Sequence, residues 1–145
     1  MFSHLIINVN ELYTDTLAHK RKRIIMTTTD LSLEKIYNLA IKTLKHNGCD
    51  ELNAEAVANT VTNAERDGSV SHGLFRIPGY VAALKSKKVK GNARPTNNFL
   101  TQNAIRVEGD YGFAPTAIGI GIPALVDVTK KHGVGVLTIT NTHHF

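Results

Sequence analysis

The sequence predicts an α/β protein with a helical N-terminal region and a last third that opens an α/β unit. Two observations carry that prediction. Apolar residues recur at helical spacing through Leu33, Ile36, Tyr37, Ala40 and Leu44, and again through Val57, Val61 and Ala64. Near the end, Val134 to Thr140 is short, apolar and β-branched, which is the signature of a strand.

The elements follow in order. Residues 1–26 show no sustained period. They are expected to be a mobile extension ahead of the helical region. Residues 27–96 form the helical region. Ser32 is a plausible N-cap for the first helix, and Asn47-Gly48 stops it. A second helix is expected from Asn53 to Arg66, with Val57, Val61 and Ala64 buried and Gly68 breaking it. Ser71 is placed to cap a third helix running to about Ser86. Pro78 conflicts with that start, because a proline clashes with the carbonyl four residues earlier. Either the helix begins later or it is kinked.

Residues 87–97 read as a loop punctuated by Gly91, Asn92, Pro95 and Asn97. Residues 97–145 begin the α/β portion. Leu100 to Val107 is expected to be a strand, although Thr101-Gln102-Asn103 is a poor β segment, and Glu108-Gly109-Asp110 turns the chain. Gly119, Gly121 and Pro123 are residues that a helix interior disfavours. Leu125, Val128 and Val136 are expected core residues. No internal repeat or low-complexity tract is present.

Composition narrows the class. The hydrophobic fraction of 42% and charged fraction of 20% are those of a globular protein. No run of apolar residues is long enough to span a bilayer, which argues against a membrane partner. The single cysteine, Cys49, excludes an internal disulfide and fits a reducing, cytoplasmic setting. The net charge is +5, with basic clusters at Lys20–Arg23 and Lys85–Lys90. These suit solvated surface better than phosphate contact, since no aromatic interleaving or nucleic-acid motif accompanies them.

The chemistry concentrates in Ala64 to Tyr80, AERDGSVSHGLFRIPGY. His72, Arg76 and Tyr80 are four residues apart, and on one helix they would share a side. A guanidinium grips a carboxylate with two parallel hydrogen bonds. An imidazole moves a proton near neutral pH. The pair suits a small acid with a carbonyl or hydroxyl beside its carboxylate. The plainer alternative, a solvated helix start, stays open at this point.

Asp67, Ser71, His72, Gly73, Arg76, Pro78 and Tyr80 form one motif. His132-Gly133-Val134-Gly135 leads into a second, Asn141-Thr142-His143-His144-Phe145. Together they resemble the malate/L-lactate dehydrogenase family of NAD(P)-dependent 2-hydroxyacid oxidoreductases. That family is distinct from the Rossmann-fold lactate and malate dehydrogenases. The resemblance runs from about Thr28 to the last residue, which implies Met26 as the natural start and residues 1–25 as an upstream extension. It implies an amphipathic helix over 114–132, which Gly119, Gly121 and Pro123 weaken here, within a non-Rossmann α/β cofactor-binding domain after the helical region, and NAD or NADP as cofactor. It implies a small 2-oxo or 2-hydroxy acid substrate, such as malate or lactate, and a homodimer when full length.

The same resemblance gives His72 and His144 acid/base roles, in an order that stays open. Arg76 would hold the carboxylate. Tyr80 would donate a hydrogen bond or wall the pocket, and Ser71 would touch substrate. Asn141 and His144 would face the cofactor, with His144 turned into the cleft. The chain ends at Phe145, less than half a usual member's length, and resembles an incomplete member. The alternative is therefore a catalytically inactive truncated remnant or an interaction module.

Three decoys fail on mechanism. Gly119-Ile120-Gly121-Ile122-Pro123-Ala124 matches a dinucleotide fingerprint, but it lacks a preceding strand and a downstream acid. His143-His144 makes a poor chelating pair, because neighbours on an extended chain point to opposite faces. Ser69 and Ser71 beside His72 do not form a nucleophilic triad, and no G-x-S-x-G elbow exists.

Overall fold

The computed structural model describes residues 3–6 and 28–143. The expectations for Met26, the Lys20–Arg23 cluster, His144 and Phe145 lie outside those residues. Strand β1 (Ser3–Ile6) pairs antiparallel with β2 (Thr28–Leu31), so part of the upstream segment is a strand against the start of the helical region.

Helix α1 (Leu33–His46) starts as expected. The Ser32 hydroxyl accepts the Lys35 N–H at 3.3 Å, which satisfies one of the donors a helix leaves open at its start. Helix α2 (Glu51–Arg66) begins two residues before the expected Asn53, because Asp50 is the true cap. The Asp50 carboxyl accepts the backbone N–H of Asn53 at 3.1 Å. The buried face of α2 is Ala54, Val57, Ala58 and Val61. Its continuation is Glu65, not the expected Ala64, which is only half-buried. Both residues lie near the stripe at helical spacing, so apolarity pointed to the wrong neighbour.

The third helix resolves the conflict at Pro78. Two 3-10 turns, Val70–His72 and Leu74–Arg76, precede α3 (Ile77–Lys85). Pro78 then falls in the first turn of α3, where its missing N–H costs nothing. Helices α1, α2 and α3 share one core with Phe113. Ile36, Leu44, Val57, Val61 and Tyr80 are among its fully buried members. Burying each such side chain contributes about 1.5–3 kcal/mol, and that shared burial holds the three helices together.

The sheet departs from the expectation for Leu100–Val107. Strand β3 (Thr96–Phe99) pairs antiparallel with β4 (Ala104–Glu108), and Leu100 to Asn103 is the turn between them. The polar Thr101-Gln102-Asn103 segment is that turn, with the Thr101 hydroxyl donating to the Asn103 side chain at 3.0 Å. Helix α4 (Ala114–His132) then crosses over to β5 (Val136–Thr140), which lies parallel to β4. The sheet order is β3-β4-β5.

Helix α4 tolerates the residues that weakened it in sequence. Gly121 lets it approach the sheet, since a methyl there would sit 2.7 Å from Val107 Cγ2. Pro123 stands inside it, and the Asn97 amide donates to the Ile120 carbonyl at 3.2 Å in the same stretch. Gly133 ends it at φ 79°, a left-handed cap that glycine adopts cheaply. Val128 is buried and Leu125 half-buried. Val136, expected in the core, is 53% exposed. The alternation of β5 instead turns Leu137 and Ile139 inward.

Candidate active site

Ser71, His72 and Arg76 come together on the two 3-10 turns before α3. The Arg76 Nε donates to the Ser71 carbonyl at 2.9 Å. The Ser71 hydroxyl lies 3.0 Å from the Nδ1 of His72, and the Ser69 hydroxyl 3.4 Å from the same nitrogen. His72 is exposed and Arg76 half-buried. Asp67, the first residue of the motif, pairs with Arg66 at 2.8 Å, which holds its carboxyl below the ordinary range.

The expected sharing of one helical side does not hold. His72, Arg76 and Tyr80 lie on a first 3-10 turn, a second one and α3 respectively. Tyr80 is 1% exposed and belongs to the helical core, within reach of the Arg76 charge. Burial pushes its phenol pKa well up, against the opposing pull of the Arg76 charge. Spacing by four implied a continuous helix, and Gly73 and Pro78 break that continuity.

Tyr80 leads to the second motif. Its ring meets that of Phe113 edge-on at 5.3 Å, and Phe113 meets the His143 ring at 6.1 Å. Phe113 is the N-cap of α4 and fully buried. The backbone ties the same loops. The His143 N–H donates to the Gly112 carbonyl at 2.8 Å, and the Ala114 N–H donates to the His143 carbonyl at 3.1 Å. The two motifs are thus packed against one another through Phe113.

The loops after β4 and β5 meet at the carboxyl ends of two parallel strands, where α/β sheets receive ligands. Asp110, Tyr111 and Asn141 hold φ of 50°, 54° and 51° there. The Tyr111 N–H donates to the Asn141 carbonyl at 2.7 Å. Residues with side chains resist that left-handed region, so three together mark a loop pair fixed by its surroundings. Asn141 is exposed, but its amide nitrogen donates to both Glu108 carboxyl oxygens, at 2.9 and 3.0 Å. Its side chain is therefore oriented by Glu108.

Sequence reasoning missed Glu65, Glu108 and Phe113. Glu65 is 1% exposed, and its Oε1 accepts the Leu74 N–H at 2.7 Å. Only its place four residues after Val61 hinted at burial. Glu108 falls in the turn that the sequence predicts but closes β4 in the structure, and nothing local signals its bond to Asn141. The glycine fingerprint at Gly119–Ala124 lies within α4, not at its start, so those glycines open no phosphate site. Among the described residues, no group of three or more His, Cys, Asp or Glu could hold a metal ion.

Comparison with known proteins gives this geometry its family. The malate/L-lactate dehydrogenase family model matches residues 31–145, and the chain belongs to that family. It is 40% identical over 115 residues to a Δ(1)-pyrroline-2-carboxylate reductase of Ancylobacter novellus, covering 79% of this chain and 34% of that protein. It is 34% identical over 115 residues to a (2R)-3-sulfolactate dehydrogenase (NADP(+)) of Chromohalobacter salexigens, with the same coverage of both chains. The crystal structure of the Δ(1)-piperideine-2-carboxylate reductase of Pseudomonas syringae pathovar tomato superposes with a TM-score of 0.76 at 35% identity. That match covers 79% of this chain and 35% of the other. The chain spans about a third of the length of these relatives. The mixed helix and sheet architecture is that of the family's dehydrogenases.

Proposed function

We propose that this chain supplies the acid-binding part of a nicotinamide-dependent oxidoreductase for a small 2-oxo, 2-hydroxy or cyclic 2-imino carboxylic acid. The observation that carries the reading is the gathering of His72 and Arg76 around Ser71 in a chain of this family. The names of the relatives favour pyrroline-type or sulfonated acids beside malate or lactate.

The residues divide the work as follows. Ser71 engages Nδ1 of His72, which leaves Nε2 to pass a proton to the substrate's oxygen or imine nitrogen. Arg76, anchored through Nε, holds the carboxylate with its guanidinium. Tyr80 shapes the floor from below. His144 is the second candidate for the proton, and with Asn141 the candidate for the cofactor side. NAD or NADP, when bound, supplies or takes the hydride. The donor set fits the acid, with a cation, an imidazole and hydroxyls on two adjoining 3-10 turns. For the cofactor, the fit rests on the loop pair at the ends of β4 and β5. The setting proposed for the full-length form is a cytoplasmic homodimer. The buried Cys49 suits a reducing compartment, and among the described residues no helix is long and apolar enough to cross a membrane.

The test is loss of NADH or NADPH absorbance with a panel of these acids. Turnover by the wild type should fall about 10²–10⁴-fold in kcat for His72→Ala. Arg76→Lys should raise KM on the order of ten- to hundredfold. Folded protein with neither turnover nor acid binding would remove the reading. A non-catalytic interaction module is then favoured by one observation. Ile118, Ile122 and Val126 recur every four residues and are exposed on α4, an apolar helix face of the kind that partners cover.

A further inference from the structure

We infer that Glu65 is the positioning residue of the acid-binding segment, clamping the joint between the two 3-10 turns so that His72 and Arg76 hold their relative places. The inference rests on the acid-binding reading above and deepens it.

Helix α2 buries an apolar face up to Val61 and then buries an acidic side chain at its last turn. A carboxyl group withdrawn from water needs hydrogen bonds to replace it. Glu65 finds one in the Leu74 N–H, at 2.7 Å. Leu74 opens the second 3-10 turn, where the first N–H groups have no partner within the turn. The bond therefore serves both sides.

The surrounding hydrogen bonds show what this joint controls. The Gly73 N–H closes the first turn onto the Val70 carbonyl at 3.2 Å, and the Arg76 N–H closes the second onto the Gly73 carbonyl at 3.0 Å. His72 is the last residue of one turn and Arg76 the last of the other. The backbone between them runs through Gly73 and Leu74, the two residues that meet Glu65. A methyl on Gly73 would overlap the Glu65 carboxyl, so the glycine is what allows the clamp to close. Releasing the joint frees the two turns to pivot. It separates the Arg76 contact to Ser71 from the Ser71 contact to His72.

The experiment uses the labelled 145-residue chain, NMR, and oxamate as a non-reducible 2-oxo acid analogue. Glu65→Gln keeps an acceptor oxygen, and Glu65→Leu keeps volume without one. The glutamine variant should keep the His72 imidazole and Arg76 guanidinium resonances, with oxamate affinity within about twofold of wild type. The leucine variant should move both sets of resonances and weaken oxamate on the order of tenfold, while signals from Val136–Thr140 stay in place. If the leucine variant does not fold, Gly73→Ala presses on the same joint and is read in the same way. Wild-type His72 and Arg76 signals in a folded leucine variant, or in Gly73→Ala where leucine fails, would overturn the inference. A wild type that ignores oxamate would count against the acid-binding reading alone, because the two side-chain signals still decide the role of Glu65.

Discussion

The ring of Tyr80 meets the ring of Phe113 edge-on, at 5.3 Å and 74°. One belongs to α3, directly after the segment that carries His72 and Arg76. The other is the N-cap of α4, flanked by Gly112 and Ala114, which both bond His143 in the loop after β5. This contact joins the helical region to the α/β unit at the level of the candidate site. Edge-to-face geometry brings a ring's positive rim to its neighbour's negative face, which adds about 0.5–1.5 kcal/mol to the area the rings bury.

Removing Phe113 should therefore cost more than one side chain's burial. Phe113→Ala is expected to destabilise by about 3–5 kcal/mol in urea denaturation, and to shift the His143 imidazole signals as the adjacent ring disappears. Val136→Ala provides the contrast. Its side chain is exposed, so the same measurement should move by less than about 0.5 kcal/mol.

A second joint between the two regions is polar. The Thr116 hydroxyl donates to the Asn53 side-chain oxygen at 3.0 Å, and the Asn53 amide donates to the Ala93 carbonyl at 3.1 Å. All three groups are buried, so water cannot replace a lost partner. Thr116→Val keeps the shape and removes the donor. It should cost about 1–3 kcal/mol, read from the denaturation midpoint with an unchanged slope.

Periodicity reached the parts of the fold where one face is apolar. Ile36, Ala40 and Leu44 came out buried, Ser32 came out as the cap, and Val136–Thr140 came out as a strand. It failed where polar groups do structural work over long sequence distances. Glu65 reaches across nine positions to Leu74, and Glu108 reaches Asn141 across 33. Neither bond leaves a local trace. The face of β5 was misjudged because Val136 and Leu137 are equally apolar, and only the docking of α4 decides which turns in. Motif spacing singles out His72 and Arg76 as candidates, yet the helix assumed between them is interrupted at Gly73. Their nearness arises from Ser71 instead.

Cys49 should be chemically quiet. Burial, and then the Asp50 charge, raise its thiol pKa from an ordinary 9.0 to about 11. The thiolate is the reactive form, so a disulfide reagent at pH 8 should label Cys49 only as fast as the protein opens, and at once in denaturant. The linkage has a sign. The folded state keeps its proton to higher pH than the unfolded state, so the contribution is full below about pH 9 and is lost as pH rises through about 11. Cys49→Ala should flatten that alkaline fall in stability.

Asp110 should govern the opposite limb. Its carboxyl accepts from Lys90 Nζ at 2.6 Å and from the Arg94 N–H at 2.9 Å. The Lys90 bond first, then the Arg94 N–H, hold its pKa below 3.8. A depressed folded pKa means that the unfolded chain takes up the proton first as pH falls. The stabilisation is thus present above about 3.8 and disappears as pH drops through the lower folded value. Asp50 is held down in the same sense: burial works against it, but bonds from Asn53 and then the Arg94 contact prevail. The two carboxyls act together on the loop that carries Arg94. Asp110→Asn isolates the charge, because asparagine accepts the φ of 50° that most residues resist. In a pH series of thermal melts the variant should lose part of the wild type's acid-side slope and keep the alkaline side. Parallel acid limbs for the two proteins would mean that the Lys90 and Arg94 contacts do not persist in solution.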